Sequence, residues 1–268
     1  MALFDSLAGD YSRYRPGVPE PVVQLLAGAL EGIAAPTLVD FGAGTGQVAR
    51  AMLPVLPAGS RIDLVDTDRD MLATAMESLL PDLGPRTAVA HVMAAEEFTL
   101  VPPGSQTDLV TICRSFHWMD RPAVLAVADR ITTPRAAVAV MGDGSLWTHA
   151  SDWTSALKDL IRSELGPDRR AGTTGTYSEP GGRYEDDLAQ SPFSAVTEHR
   201  FTLTRTWTPP SVVGYLRSTS FARADLFTDH AQFEDQARAL LEEHTQDGLL
   251  HEEFVFTVLL ARRPGAGQ

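Results

Sequence analysis

The chain has 268 residues, 44% of them hydrophobic, and a formal net charge of −13. That length suits one sizeable α/β domain with insertions better than two independent domains, and the composition supplies a large core. Nucleic acid is disfavoured as a partner, because an acidic chain with no Lys/Arg cluster has little with which to displace counterions from phosphate.

The opening MALFDSLAGDY is acidic and lacks an apolar run, which argues against a signal peptide. A helix is expected over Glu20–Ala34, where Val22, Leu25, Leu26, Ala29, Leu30 and Ile33 share one face. TLVDF (Thr37–Phe41) follows as a short apolar strand, Gln47–Leu56 as a helix and RIDLVD (Arg61–Asp66) as a second strand. Asp68 suits the N-cap of the next helix, whose buried face is Met71, Leu72, Ala75, Met76 and Leu79. Strands are expected at Thr87–Ala94, Asp108–Cys113 and Ala136–Gly142, with a helix over 122–131 between the last two. Repeated βα units of this length imply a parallel sheet with helices on both faces. The most apolar early stretch, Val22–Val39, holds Gln24, Glu31 and Pro36, so no membrane span is expected and a cytoplasmic location follows.

The second half changes character. Trp153, Leu157, Leu160, Ile161 and Leu165 mark a helix, and 166–187 reads as a long surface loop. Glu198–Trp207 alternates like a strand, 209–247 is helical, and Glu252–Arg262 is a final strand. The two late strands suggest an antiparallel addition at the sheet edge. Cys113 is the only cysteine, which rules out an intrachain disulfide.

The strongest signal is VDFGAGTG (Val39–Gly46), set between a strand and a helix. Gly42 permits a sharp turn, Gly44 lets backbone approach a ligand, and Gly46 allows close helix packing. A dinucleotide fingerprint has two residues between its second and third glycines; here Thr45 stands alone. Asp40 would repel a phosphate but can hold an ammonium group. Asp66, at the end of the next strand, can accept hydrogen bonds from both ribose hydroxyls. Together these features favour S-adenosylmethionine, which has an amino-acid tail and no phosphate.

VDFGAGTGQVAR and IDLVDTDRDML resemble the first and second motifs of class I S-adenosylmethionine-dependent methyltransferases. FDSLAGDYSRYRPGVP, SFHWMD (Ser115–Asp120) and WTPPSVVGYLRSTSFA resemble the small-molecule branch of that family, which includes trans-aconitate-type and type 11-like enzymes. The resemblance implies a Rossmann-like, doubly wound sheet of seven strands with the last one antiparallel, and a helical cap. It divides the single domain into a core at 20–145 and 192–262, a lid at 1–19, and cap insertions at about 146–191 and 209–247. It implies cofactor contacts at Tyr14, Arg15, Asp40, Gly42, Ala43, Gly44, Gly46, Asp66, Thr67, Met71, Ala95, Glu96, Arg114 and Trp118. The family often has Asp-Ala-Glu after the third strand; here Ala94 replaces the Asp, which leaves adenine recognition to backbone near Ala95 or to Glu96.

The sulfonium is already reactive, so the protein has mainly to align an acceptor, exclude water and manage one proton. In this fold the residues beyond the fourth strand, Arg114 to Trp118, lie over the methyl group. His117 is the candidate general base, against a packing role for His117 and Trp118 beneath the adenosine. Phe116 shapes the pocket. Tyr11, Tyr14 and Arg15 resemble a lid, with Arg15 able to pair with the methionine carboxylate or an acidic acceptor. Trp147, Trp153, Tyr177, Tyr215 and Arg217 fall in the variable cap. The seven histidines show no metal spacing, and Asp143 lacks the Asp-Asn pair of magnesium-dependent relatives, so no metal is expected.

The expected function is methyl transfer to nitrogen or oxygen of a small molecule, such as an antibiotic-type natural-product precursor, yielding S-adenosylhomocysteine. A trans-aconitate-type carboxylate acceptor is the nearest variant. A nicotinamide oxidoreductase and a non-catalytic S-adenosylmethionine-binding regulator are the other classes considered. No membrane partner is expected; a homo-oligomer is left open.

Overall fold

A computed structural model describes residues 8–100, 102–168, 170–171, 175–176 and 182–265. Tyr177 and the first seven residues of the expected lid lie outside them. The chain divides into two compact units.

The first unit comprises Gly17–Gly142, Pro180–Phe201 and Phe256–Gln268. It opens with α2 (Glu20–Ala29), the second helix of the chain, which starts on Pro19 and Pro21 and buries Val22, Val23 and Leu26. The helix stops short of the expected Ala34, because Leu30 leaves helical geometry and Gly32 turns the chain at φ 81°. β1 (Thr37–Phe41) leads through the glycine loop to α3 (Gln47–Met52). α3 also ends early, before Pro54, whose ring cannot continue a helix. β2 (Arg61–Asp66) is followed by α4 (Arg69–Leu79), capped by Asp68, whose carboxylate accepts from the amides of Asp70 and Met71 at 2.9 and 3.1 Å. Met71, Leu72, Ala75 and Leu79 are buried as expected, whereas Met76 is half-buried. β3 (Thr87–Val92), β4 (Thr107–Cys113), α5 (Arg121–Ile131) and β5 (Thr132–Asp143) follow.

Within 166–187, expected as loop, the described residues form two-residue strands β6 (Arg170–Ala171) and β7 (Gly175–Thr176) and the start of α7 (Tyr184–Ala189). The late strands are β8 (Ala195–Trp207) and β9 (Leu250–Arg262), each starting before its expected first residue. The main sheet has seven strands in the order β3-β2-β1-β4-β5-β9-β8. It is mostly parallel, with one antiparallel pair. β1 pairs in parallel with β2 and β4, which sets Asp40 opposite Thr111. Both faces of the central strands are covered: Leu38, Val39, Phe41, Ile62, Leu64, Leu109, Val110 and Ile112 are solvent-free. Each such side chain stabilises the fold by about 1.5–3 kcal/mol.

The second unit comprises Met1–Pro16, Asp143–Glu179 and Thr202–Val255. Its helices are α1 (Ala8–Tyr14), α6 (Asp152–Leu165), α8 (Pro209–Arg217) and α9 (His230–Glu243). Ser151 with Thr154 and Thr208 with Ser211 form capping boxes that start α6 and α8. Trp153, Leu157, Ile161, Trp207, Tyr215 and Phe233 fill the interior. The Trp153 indole donates to the carbonyl of His251 at 2.9 Å. Trp147 packs edge-on against Phe221, and Arg217 pairs with Glu234. A buried ionic cluster joins Asp143 to Arg205 (2.5 Å) and Arg205 to Glu252 (2.9 Å). Glu252 also receives the Trp207 indole at 2.9 Å and contacts the ring of His149. Asp143 is thus engaged by an arginine. Among the described residues no group of three or more His, Cys, Asp or Glu is placed to hold a metal.

Candidate functional site

The site lies at the carboxyl ends of β1, β2 and β4, where ligands bind in open α/β sheets. Gly42, Gly44 and Gly46 all have positive φ, at 67°, 53° and 75°, a region that other residues enter at a cost of about 1–2 kcal/mol. A Cβ on Gly42 would stand 2.5 Å from the side chain of Ser115, and one on Gly46 would stand 2.9 Å from Cβ of Ala75 on α4. The first glycine therefore admits the chain leaving β4, and the third admits a neighbouring helix. The amides of Gly42 and Ala43 donate to the carbonyl of Val65 at 2.8 and 3.1 Å, which fastens the loop to β2.

Asp66 completes that fastening. One of its oxygens accepts from the amide of Gly44 at 2.8 Å and the other from the amide of Asp68 at 2.9 Å. Each oxygen keeps a second lone pair for a ligand hydroxyl. Burial raises its pKa against the opposing effect of these amide bonds, and the nearby charge of Asp68 adds to the rise. The loop and the acidic strand end, inferred as separate features of the sequence, are one hydrogen-bonded object.

Asp40 is only 1% exposed. Its carboxyl accepts from the Thr111 hydroxyl at 2.7 Å, across the β1–β4 register. Burial pushes its pKa up to about 7, against the lowering effect of the Thr111 bond and with a further push from Asp66. A ligand ammonium would reach Asp40 with a shift of the residues that cover it. Thr111 carried no signal in the sequence beyond being a polar residue inside an apolar strand.

The segment after β4 folds back over the loop. Arg114 takes φ 58°, and its amide donates to the carbonyl of Met141 at 2.9 Å. Ser115 donates its hydroxyl to the carbonyl of Phe41 at 3.1 Å. A 3-10 turn at Phe116–Trp118 then carries three of the predicted residues in different settings. Phe116, expected to shape the pocket, is 1% exposed in the core, edge-on to Tyr184. Arg121 braces that pair: its guanidinium lies 4.6 Å over the Tyr184 ring and donates to Asp187 at 2.9 Å. Reading the sequence missed Tyr184, Arg121 and Asp187, since only the fold brings α7 to this turn. His117 and Trp118 face outward with their rings 4.7 Å apart, and Trp118 is 54% exposed.

Of the remaining expected contacts, Ala43, Met71 and Ala95 are buried and Thr67 is exposed. Glu96 accepts from the amide of Asp120 at 2.8 Å, so it braces the start of α5. Tyr11, Tyr14 and Arg15 belong to the second unit. There Tyr14 lies against Gly214 of α8, where a Cβ would stand 2.5 Å from its ring. Arg15 donates to the hydroxyl and carbonyl of Ser218 at 3.0 and 2.9 Å, with the rings of Tyr11 and Tyr215 at 4.8 and 5.0 Å.

The arrangement suits a ligand with hydroxyls and an amino-acid tail. A glycine turn ringed by the carboxylates of Asp40 and Asp66 would repel a pyrophosphate, whereas a sugar edge and an ammonium both complement it.

Residues 39–138 match the profile of a methyltransferase domain family. No curated protein matches the sequence. Among solved structures, a protein from Anaeromyxobacter dehalogenans assigned as a type II methyltransferase is 17% identical, covering 93% of this chain and 98% of its own, with a TM-score of 0.61. The Bacillus subtilis YcgJ protein is 15% identical over 92% of this chain and all (100%) of its own, at a TM-score of 0.53. A Haemonchus contortus phosphoethanolamine N-methyltransferase 2, solved with phosphomonomethylethanolamine and S-adenosylhomocysteine, is 15% identical over 97% of this chain and 57% of its own, at a TM-score of 0.54. The methyltransferase-domain match thus spans β1 to β5, and the sheet order extends it to the fold of the class I, S-adenosylmethionine-dependent methyltransferases.

Proposed function

We propose that the protein transfers the methyl group of S-adenosylmethionine to a nitrogen or oxygen of a small molecule, a natural-product precursor being the class favoured, and releases S-adenosylhomocysteine. One observation carries the donor assignment: Asp66 holds Gly44 by its amide and keeps acceptor capacity on both oxygens at the end of β2. In that position a carboxylate takes the two ribose hydroxyls while the loop it fastens receives the methionine tail. Met71 would lie under the adenine, with Trp118 and His117 against the adenosine.

The small size of the acceptor is supported by the net charge of −13, which disfavours nucleic acid, and by the relative whose acceptor is a phosphomonoester amine. No helix among the described residues is long and apolar enough to cross a membrane.

The chemistry asked of the chain is modest. S-adenosylmethionine supplies an activated methyl group when bound; the residues here bind its sugar and tail, exclude water and orient the acceptor. An amine or carboxylate acceptor needs no protein base in the transfer step, which fits an exposed His117. The test is turnover of methyl-labelled S-adenosylmethionine against a broad acceptor panel, read by mass spectrometry. Label in an acceptor, reduced in Asp66→Ala at limiting cofactor, is the expected result. Cofactor binding with no transfer to any acceptor class would favour a binding regulator.

A further inference from the structure

Arg114 is held in a conformation that few residues keep. Among the described residues only it and Asp247 have positive φ without being glycine, and Asp247 precedes Gly248 in a turn. Such backbone strain persists where the surroundings enforce it, and it concentrates at ligand sites. The neighbouring strand gives way to it. A Cβ on Gly142 would come within 3.2 Å of Arg114 Cγ, so β5 carries no side chain where this one passes. The guanidinium lies 5.4 Å from the centre of the Phe256 ring, and Nη1 donates to Oε1 of Gln47 at 3.2 Å.

Gln47 directly follows Gly46, and Ser115, the residue after Arg114, closes on Gly42. The two residues leaving β4 therefore touch the two ends of the glycine loop. The carboxylates already described there, Asp40 and Asp66, can complement an ammonium but not a carboxylate. An α-amino acid headgroup carries both.

We propose that Arg114 binds the α-carboxylate of the cofactor's amino-acid tail, with Gln47 positioning its guanidinium. This rests on the reading of the loop as an S-adenosylmethionine site and assigns the cation within it. Arg15, the other arginine the sequence offered for this carboxylate, is engaged by Ser218, Tyr11 and Tyr215 in the second unit. The strain then has a purpose. A glycine or asparagine would satisfy the backbone more cheaply, but neither would deliver a fixed planar cation.

Two ligands separate the tail from the rest. S-adenosylhomocysteine has the amino-acid tail; 5′-methylthioadenosine has the same nucleoside without it. Calorimetric titration of both into wild type, Arg114→Gln, Arg114→Asn and Arg15→Gln is the experiment. Arg114→Gln and Arg114→Asn should weaken S-adenosylhomocysteine roughly 10- to 100-fold, the effect of losing a charge-assisted pair, and leave 5′-methylthioadenosine within about twofold. Arg15→Gln should change neither. Retained nucleoside binding shows that each variant is folded, and Asn tolerates the positive φ if Gln does not. Equal weakening of both ligands, unchanged S-adenosylhomocysteine affinity, or a tail-selective loss in Arg15→Gln would each overturn the assignment. Wild type binding neither ligand would overturn the cofactor reading itself and this assignment with it.

Discussion

Replacing Asp40 by Asn should stabilise the ligand-free protein, and increasingly so as pH rises. The carboxyl is 1% exposed, and burial raises its pKa from 3.8 to about 7. A folded-state pKa above the unfolded one means that the folded protein binds the proton more tightly. Asp40 is therefore most favourable below pH 3.8 and progressively unfavourable as pH rises through about 7. That displacement corresponds to about 4 kcal/mol, of which about 3 falls between pH 5 and pH 8. Asparagine keeps the shape and can still accept from Thr111, but it has no charge to desolvate. Melting curves of wild type and Asp40→Asn, without cofactor and at constant salt, should diverge from pH 5 to pH 8 by roughly 5–10 °C, for a chain in which 1 kcal/mol moves Tm by about 2–4 °C. Parallel Tm–pH curves would refute the reasoning, since they would mean that the carboxyl titrates as though exposed. A second readout follows from the donor's charge. If a bound ammonium restores the ionised form, wild type at pH 7 should release up to about half a proton on binding, seen as a buffer-dependent calorimetric enthalpy, and Asp40→Asn should release none from this site.

Asp66→Ala should weaken S-adenosylhomocysteine by about 2 kcal/mol, from lost hydrogen bonds to ribose; unchanged calorimetric affinity would sink the ribose assignment. His117→Ala should lower kcat by less than about 100-fold with an amine or carboxylate acceptor, because no base is required. A loss of thousands of fold with cofactor affinity intact, and a single wild-type ionisation near the unperturbed histidine value of about 6.5, would instead make His117 the base and the acceptor a hydroxyl. Gly214→Ala should push Tyr14 off α8 and speed amide hydrogen exchange in residues 8–14; equal exchange in both proteins would show that α1 does not depend on this contact.

What the sequence disclosed was local. Strand β1, the turn at VDFGAGTG and Asp68 as a cap all depend on residues within one helical turn of each other. The same locality misplaces helix ends: apolar periodicity carries α3 through Pro54 and α2 past Leu30, whereas the helices stop at Met52 and Ala29. Strand existence was legible, whereas the place of β9 between β5 and β8 was not; periodicity does not encode neighbour order. The site was half legible. Glycines and acids at strand ends are a pattern, whereas the Thr111 hydroxyl on Asp40, the reach of Arg114 to Gln47 and the packing of Tyr184 on Phe116 join residues far apart in the chain. Glu96 shows the converse: nothing near it in sequence foretold that its carboxylate would hold the amide of Asp120.

The ionic cluster of the second unit limits how that unit can evolve or be redesigned. Arg205 is shared by Asp143 and Glu252, and Glu252 also serves the Trp207 indole and the His149 ring. With the Glu252 and Asp143 side chains 3% and 4% exposed, deleting Arg205 leaves two buried carboxylates without their shared guanidinium, at a cost of about 3–5 kcal/mol. A single substitution there would take a large share of the stability of an ordinary domain. Lineages, or mutant libraries, should therefore change these positions together or not at all. Diversity can accumulate instead on the solvent faces of α6 and α9, where Ser155, Arg162, Glu164, Asp235 and Glu242 are exposed.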